Sequence, residues 1–265
     1  MEYWYKYRDD LWKKVEIYDH GESQKIRERL PDAERLKSNI RRAQRMIEGY
    51  ALCNDWAWFG TFTLSPVLYQ NRKDLDLFRS DFMHFIRNLR RKYGNVQALL
   101  VPELHKKRDG WHMHGLIQGV PEDALRPFTL REKLPKYIRQ KVKAGEPVFD
   151  WPEYRASFGF VDMEPIRSRD AAARYITKYI TKSHDSTAQA IKSGNHLYYV
   201  TRGLKLYERI FTAENAPGCV PDAFPAHLVA GNSFEFEYGS VQWYELPHHT
   251  GICEMPYDFG ISENL

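Results

Sequence analysis

The chain has 265 residues, 43% hydrophobic and 14% aromatic, with 39 basic and 35 acidic side chains for a formal net charge of +4. That is enough apolar material for one large domain, or one domain with appendages, to bury its own core. Cys53, Cys219 and Cys253 form no CxxC spacing and cannot all pair, which argues against a disulfide framework and a cysteine-rich zinc site. The opening MEYWYKYRDD has no apolar core of signal-peptide length, and no run approaches the ~18 apolar residues of a membrane span, so a soluble cytoplasmic protein is expected, with no membrane partner.

Charge is unevenly spread. Residues 183–265 hold four basic groups and ten acidic ones, which leaves 35 basic against 25 acidic in residues 1–182. A phosphate-binding surface in the first two thirds would use this excess. The stretch IRERLPDAERLKSNIRRAQRMIEGYALCN carries Leu36, Ile40, Ala43 and Ile47 at helical spacing, with Arg41, Arg42 and Arg45 on other faces. It reads as an amphipathic helix whose basic side is either a solvated surface or a phosphate contact. Next, WFGTFTLSP is an aromatic and β-branched run closed by Ser65-Pro66, a buried strand. DLDLFRSDFMHFIRNLRRKYG sets Leu75, Phe78, Phe82, Phe85, Ile86 and Leu89 on one stripe and stops at Gly94, a helix. VQALLVPELH and WHMHGLIQGV are strand-like, joined by KKRDG with an Asp109-Gly110 hairpin signal. Residues 121–155 form a less regular, proline-containing insertion. FGFVDMEPI reads as a strand, SRDAAARYITKYITKS as a helix and HLYYVTRGL as a final strand, while the tail from about residue 213 has no clear pattern. The order of elements predicts an α+β fold with a mostly antiparallel central sheet and packed helices. The implied organisation is an N-terminal basic helical segment at 1–50, a main domain at 51–212 and a C-terminal extension at 213–265.

Two constellations carry chemistry. In a strand, residues two apart share a face, so His112 and His114 project together. If Asp109-Gly110 is a two-residue turn, His114 pairs with His105 and Leu116 with Glu103, which puts Glu103, His105, His112 and His114 on one face. Two imidazoles and a carboxylate suit a divalent ion with open positions, although strand histidines are also found simply as half-buried aromatics. In ARYITKYITK, Tyr175, Lys178, Tyr179 and Lys182 fall at i, i+3, i+4 and i+7, one polar stripe on a helix, with Ile176 and Ile180 on another face. A phenolate can attack a phosphodiester and leave a covalent phosphotyrosine, which conserves the ester for later rejoining. Its ordinary pKa near 10 means that it needs help to ionise. A neighbouring ammonium favours the phenolate, and a divalent ion polarises a non-bridging phosphate oxygen, so the two constellations complement each other.

In these residues the chain resembles the HUH-type rolling-circle replication initiators, most closely the replication-associated proteins of bacterial phages and plasmids related to the filamentous-phage gene II protein. TFTLS at 61–65, WHMHGLI at 111–117 and YITKYITK at 175–182 occur in the family's order, and the similarity runs through about residues 35–212. The resemblance implies an RRM-like core and a nicking and joining endonuclease for single-stranded origin DNA, with one Mg2+ or Mn2+ ion. His112 and His114 match the two histidines of the family motif, Glu103 the acidic third ligand, with His105 as reserve. Tyr175 and Tyr179 match the paired nucleophiles, and Lys178 and Lys182 the accompanying lysines. Which tyrosine acts first is not legible in the sequence. No GxxxxGK[ST] loop occurs, so host helicase and polymerase are implied partners. Basic residues of the first helix or the insertion would recognise the origin. A relaxase or transposase would share this chemistry in a different biological cycle, a metal hydrolase would leave no protein adduct, and a noncatalytic DNA-binding protein would leave the Tyr/Lys stripe without a task.

Overall fold

The computed structural model describes residues 2–8, 11–17, 32–105, 110–182, 196–213, 229–236 and 239–245. In chain order the elements are β1 (Glu2–Arg8), β2 (Leu11–Ile17), α1 (Asp32–Cys53), β3 (Trp58–Thr63), α2 (Leu75–Tyr93), β4 (Gln97–His105), β5 (Gly110–Gln118) and β6 (Arg126–Pro127). They continue with α3 (Lys136–Lys143), β7 (Phe149–Asp150), α4 (Pro152–Ser157), β8 (Val161–Pro165), α5 (Arg169–Lys182), β9 (Tyr199–Val200), β10 (Glu208–Ala213), β11 (Val229–Phe236) and β12 (Gly239–Glu245). Contacts divide the chain into a larger unit, Leu30–Leu206, and a smaller one composed of Met1–Arg29 and Tyr207–Leu265.

The larger unit is built on a seven-stranded sheet in the order β6-β7-β8-β3-β5-β4-β9, and its paired strands are antiparallel. This is the α+β architecture that the alternation of strand and helix patterns predicts. One face of the central strands is apolar: Phe62 of β3, Ala98 and Leu100 of β4, Met113 and Ile117 of β5 and Val161 and Met163 of β8 are all buried in one core. Helix α2 covers that face through Leu75, Phe78, Phe82, Ile86 and Leu89, the stripe set by its 3.6-residue period. The helix starts where the Asp74 carboxylate accepts a 2.9 Å hydrogen bond from the Leu77 amide, and it ends at Gly94, whose φ of 88° favours glycine. Aromatic rings interlock beneath it, with Phe82 centred 4.7 Å from Phe62, 5.5 Å from Tyr154 and 6.1 Å from Phe158.

The opposite face carries α5, which packs against α1 and against β4 and β5. Ile40, Ala43, Ile47 and Ala51 of α1 and Ala172, Ala173, Ile176 and Ile180 of α5 are buried, as are Leu99, Val101 and Leu116 on the strands. The helices therefore seal part of this face, and the site described below occupies their margin. The 121–155 insertion is more ordered than its composition indicates: it supplies α3 and α4 and two-residue strands that extend the sheet, with a small cluster of Phe128, Ile138 and Val148. The final strand expected at HLYYVTRGL is cut to Tyr199–Val200 on the edge of β4.

The smaller unit is a five-stranded sheet in the order β10-β1-β2-β12-β11, with Trp4, Leu11 and Trp12 buried. Its composition differs from the sequence expectation for 1–50 and 213–265, because residues 2–8 and 11–17 are strands and pair with segments from the chain's far end. Among the described residues, no helix is long and apolar enough to cross a membrane.

Because Phe82 is fully buried among the rings that join α2 to the sheet, Phe82→Ala is expected to remove about 3–5 kcal/mol of stability, measured as the unfolding free energy in urea.

Candidate active site

The strands on either side of β5 define the site by register. Met113 points into the core, so its neighbours His112 and His114 take the other face. On β3, Thr63 lies opposite His112 and Thr61 opposite His114. On β4, Glu103 lies opposite His112, Val101 opposite His114 and His105 opposite Gly110. That pairing corrects the register expected from a two-residue Asp109-Gly110 turn: the connection is residues 106–109, and the partners expected for His114 and Leu116 move along the strand. The slip is an even number of residues, so Glu103 keeps the histidine face.

Glu103 reaches the diagonal neighbour. Its Oε2 and His114 Nε2 are hydrogen-bonded at 2.7 Å, with the imidazole buried and the carboxylate side chain 22% exposed. Thr63 Oγ1 lies 3.1 Å from His112 Nδ1, a contact that orients that ring. Sequence reasoning did not single out Thr63, because an isolated threonine in a strand carries no pattern of its own.

Helix α5 brings the second constellation onto the same face. The Tyr179 ring stacks on His114 with centroids 3.6 Å apart and planes 16° from parallel. Its hydroxyl donates to the Tyr175 hydroxyl oxygen at 2.9 Å. Tyr175 stands edge-on to Phe59 at 5.0 Å and is 49% exposed, whereas Tyr179 is half-buried. Burial is the main cause that holds the Tyr179 phenol well above its ordinary range, reinforced by its bond to Tyr175 and by the Glu103 and Asp162 carboxylates. Lys178 is exposed on α5, while the side chains of Lys182 and His105 lie outside those described.

Asp162 is a member of this face that the sequence did not announce. It pairs with Thr61 across β3 and β8, is 2% exposed, and accepts a 2.8 Å hydrogen bond from the Tyr137 hydroxyl on α3. Burial, with help from the charge of Glu164, pushes its carboxyl up to about 6. The available signal was a carboxylate between Val161 and Met163, both core residues.

Glu103, His112 and His114 thus share one face, with the carboxylate already joined to one imidazole. Among the described residues, no three His, Cys, Asp or Glu side chains are arranged to hold a metal ion. The donor set nonetheless has the chemistry for a divalent ion: one carboxylate oxygen and two imidazole nitrogens, one of them oriented by a threonine.

Residues 57–184 match the family model for the replication-associated protein of the ORF2 and gene II protein type. The matched span runs from just before β3 to just after α5, so it includes the histidine strand, Glu103, Asp162 and both tyrosines. The match supports a rolling-circle replication initiator family and a role in replication initiation. No curated protein and no solved structure matches the chain.

Asp162 gives a measurable pH dependence. Its folded-state pKa lies above the unfolded value, so its contribution to stability is full below about pH 4 and is lost as pH rises to about 6, after which it is flat. Urea titrations across this range should show Asp162→Asn abolishing a loss on the order of 3 kcal/mol between pH 4 and 6.

Proposed function

We propose that this protein nicks and rejoins single-stranded DNA at a replication origin by tyrosine transesterification, as the initiator of rolling-circle replication of a phage or plasmid. The observation that carries the reading is the stacking of Tyr179 on His114 with its hydroxyl bonded to Tyr175, because it unites the two constellations inside the span of the replication-associated match.

The environments of the two tyrosines give them different roles. Tyr175 is the exposed phenol, and its oxygen accepts the Tyr179 hydroxyl, a bond that strengthens as negative charge forms on Tyr175. It takes the first transfer. Its oxygen forms a bond to the scissile phosphorus, the P–O3′ bond breaks, and the 3′-hydroxyl departs with one proton while the 5′-phosphate stays on the tyrosine. Tyr179 orients Tyr175 and is the reserve nucleophile for the second transfer. Lys178, three residues from Tyr175 on the exposed side of the helix, offers positive charge to the phosphate, and Lys182 has the same role by sequence. Glu103, His112 and His114 would hold an Mg2+ or Mn2+ ion, which would supply positive charge to a non-bridging phosphate oxygen. His112 is oriented for this by Thr63, and Glu103 and His114 already converge. Host helicase and polymerase are the proposed partners.

The test incubates the protein with single strands tiled across its own replicon, with Mn2+ or with EDTA, and resolves the products on a denaturing protein gel. A metal-dependent protein–DNA band is expected for wild type, absent in Tyr175→Phe and retained in Tyr179→Phe. Strand cleavage without a band would indicate a hydrolase, and bound but uncut DNA a binding protein.

Metal binding is checked separately by the loss of the free Mn2+ signal in electron paramagnetic resonance. Glu103→Ala should abolish tight binding, and Thr63→Val, which removes only the group that orients His112, should weaken it by about 10-fold.

A further inference from the structure

Beside the candidate active site lies a groove of about 620 Å³ whose walls include Thr63, Leu64, Arg72, His112, Arg155 and Phe160. One side of it is the connection between β3 and α2. Trp111 pins this connection twice: its amide donates to the Arg72 carbonyl at 2.9 Å and its indole nitrogen to the Lys73 carbonyl at 3.0 Å. Arg72 is therefore held against the first residues of the strand that carries His112, so closely that a Cβ at Gly110 would lie 3.3 Å from Arg72 Cβ and 3.5 Å from its guanidinium. Its side chain makes no ion pair among the described residues. Opposite it, the Phe158 and Phe160 carbonyls accept hydrogen bonds from the Ser65 and Thr63 amides at 2.7 and 2.9 Å. That approach needs a glycine between them: Gly159 has φ of 141°, and a Cβ there would fall 2.4 Å from the Ser65 nitrogen.

The wall so formed presents Phe160, partly exposed, its ring stacked on Phe128 with centroids 5.8 Å apart and the Arg155 guanidinium 5.0 Å from its centre. The ion pair of Arg155 with Asp150 engages only its Nε, at 2.7 Å, and leaves the Nη groups for another acceptor. On the rim, Leu68 is 54% exposed. An aromatic face and apolar rim beside two guanidiniums have the composition of a stacking platform with a phosphate contact.

Resting on the nicking reading above, we infer that this groove is a subsite for a nucleotide of the single-stranded substrate next to the scissile phosphate. The base lies against Phe160 and the phosphate on Arg72 and Arg155, at the Thr63 end of β3, while Tyr175 stands at the Phe59 end of the same strand face. Ser65 Oγ on this wall accepts hydrogen bonds from the Val67 and Leu68 amides at 3.3 and 3.4 Å. Phe160 and the two guanidiniums supply stacking and charge, which every base and phosphate can use, so recognition in the groove tolerates any base.

The experiment uses the full chain and fluorescein-labelled oligo(dT), oligo(dC) and oligo(dA) 16-mers, with anisotropy read in EDTA over a salt series, so that binding is measured without cleavage. Phe160→Leu should weaken all three by about 10-fold. Arg72→Gln should weaken them similarly and lower the slope of log affinity against log salt by about 0.7, the value for one phosphate contact on a single strand. Arg91→Gln, at the exposed end of α2, is the control and should change the affinity little. Wild-type binding that both groove variants leave unchanged overturns the subsite while the nicking reading stands. An effect confined to one homopolymer overturns the base tolerance. Failure of the wild type to bind any of the three strands overturns the subsite, while the nicking reading stands or falls on the covalent band formed with strands of its own replicon. Thermal melts of each variant separate loss of binding from loss of folding.

Discussion

Alternation of side chains along a strand is the constraint on which this site depends. Each of β3, β5 and β8 gives one parity to the core, through Phe62, Met113 and Met163, and the other parity to the site, through Thr61 and Thr63, His112 and His114, and Asp162. The same three strands thus hold the fold together and present the polar groups. The arrangement has no freedom to slide by one residue, since that would exchange Met113 for the flanking histidines in an apolar core. Register is fixed most firmly where a burial penalty would follow from losing it, and the polar face inherits that precision.

Helix α5 applies the same economy at a different period. Ala172, Ala173, Ile176 and Ile180 bury one side of it, and the small alanines let it approach the sheet near the strand ends. Four residues separate Tyr175 from Tyr179, a little more than one turn, so both phenols lie above the same strands at different depths. The inner one stacks on His114 and is half-buried, and the outer one leans on Phe59 with half its surface in solvent. Two chemically identical groups acquire different access from a displacement of one helical turn, and burial holds the inner phenol above its ordinary range.

What was legible in the sequence was whatever repeats locally. The shared face of His112 and His114, the stripe of Tyr175 and Tyr179, and the Gly94 end of α2 follow from short-range periods and a capping glycine. The hairpin register was not legible, because an Asp-Gly pair signals a tight turn while the strands here stop at His105 and Gly110, with residues 106–109 between them. Pairing of Glu2 with Ala213 was invisible for a different reason: nothing in either segment alone names a partner so distant along the chain. Thr63 and Asp162 escaped because a single polar residue in a strand has no period. Their significance comes from the neighbours that the sheet sets beside them, His112 and Thr61. The basic character of the first two thirds was legible as a number, yet the position of Arg72 depends on the two bonds from Trp111 that hold its loop.

The charges on this face bear directly on the proposed chemistry. Glu103 approaches from β4 and Asp162 from β8, and both carboxylates oppose ionisation of the Tyr179 phenol that lies between their strands. A face with this sign is a poor place for a phosphodiester and a phenolate, each of which adds negative charge. The basic groups near it, Lys178 on α5 and Arg72 in its pinned loop, sit at the margins, where they can attract a strand but leave the centre acidic. Under the proposed function a divalent cation held by Glu103 reverses that local sign, because its charge exceeds that of the carboxylate that binds it. The same carboxylate that by itself makes the face hostile to phosphate then makes the metal-bound face receptive to the scissile phosphate, while the groove beside it holds the strand with or without the ion.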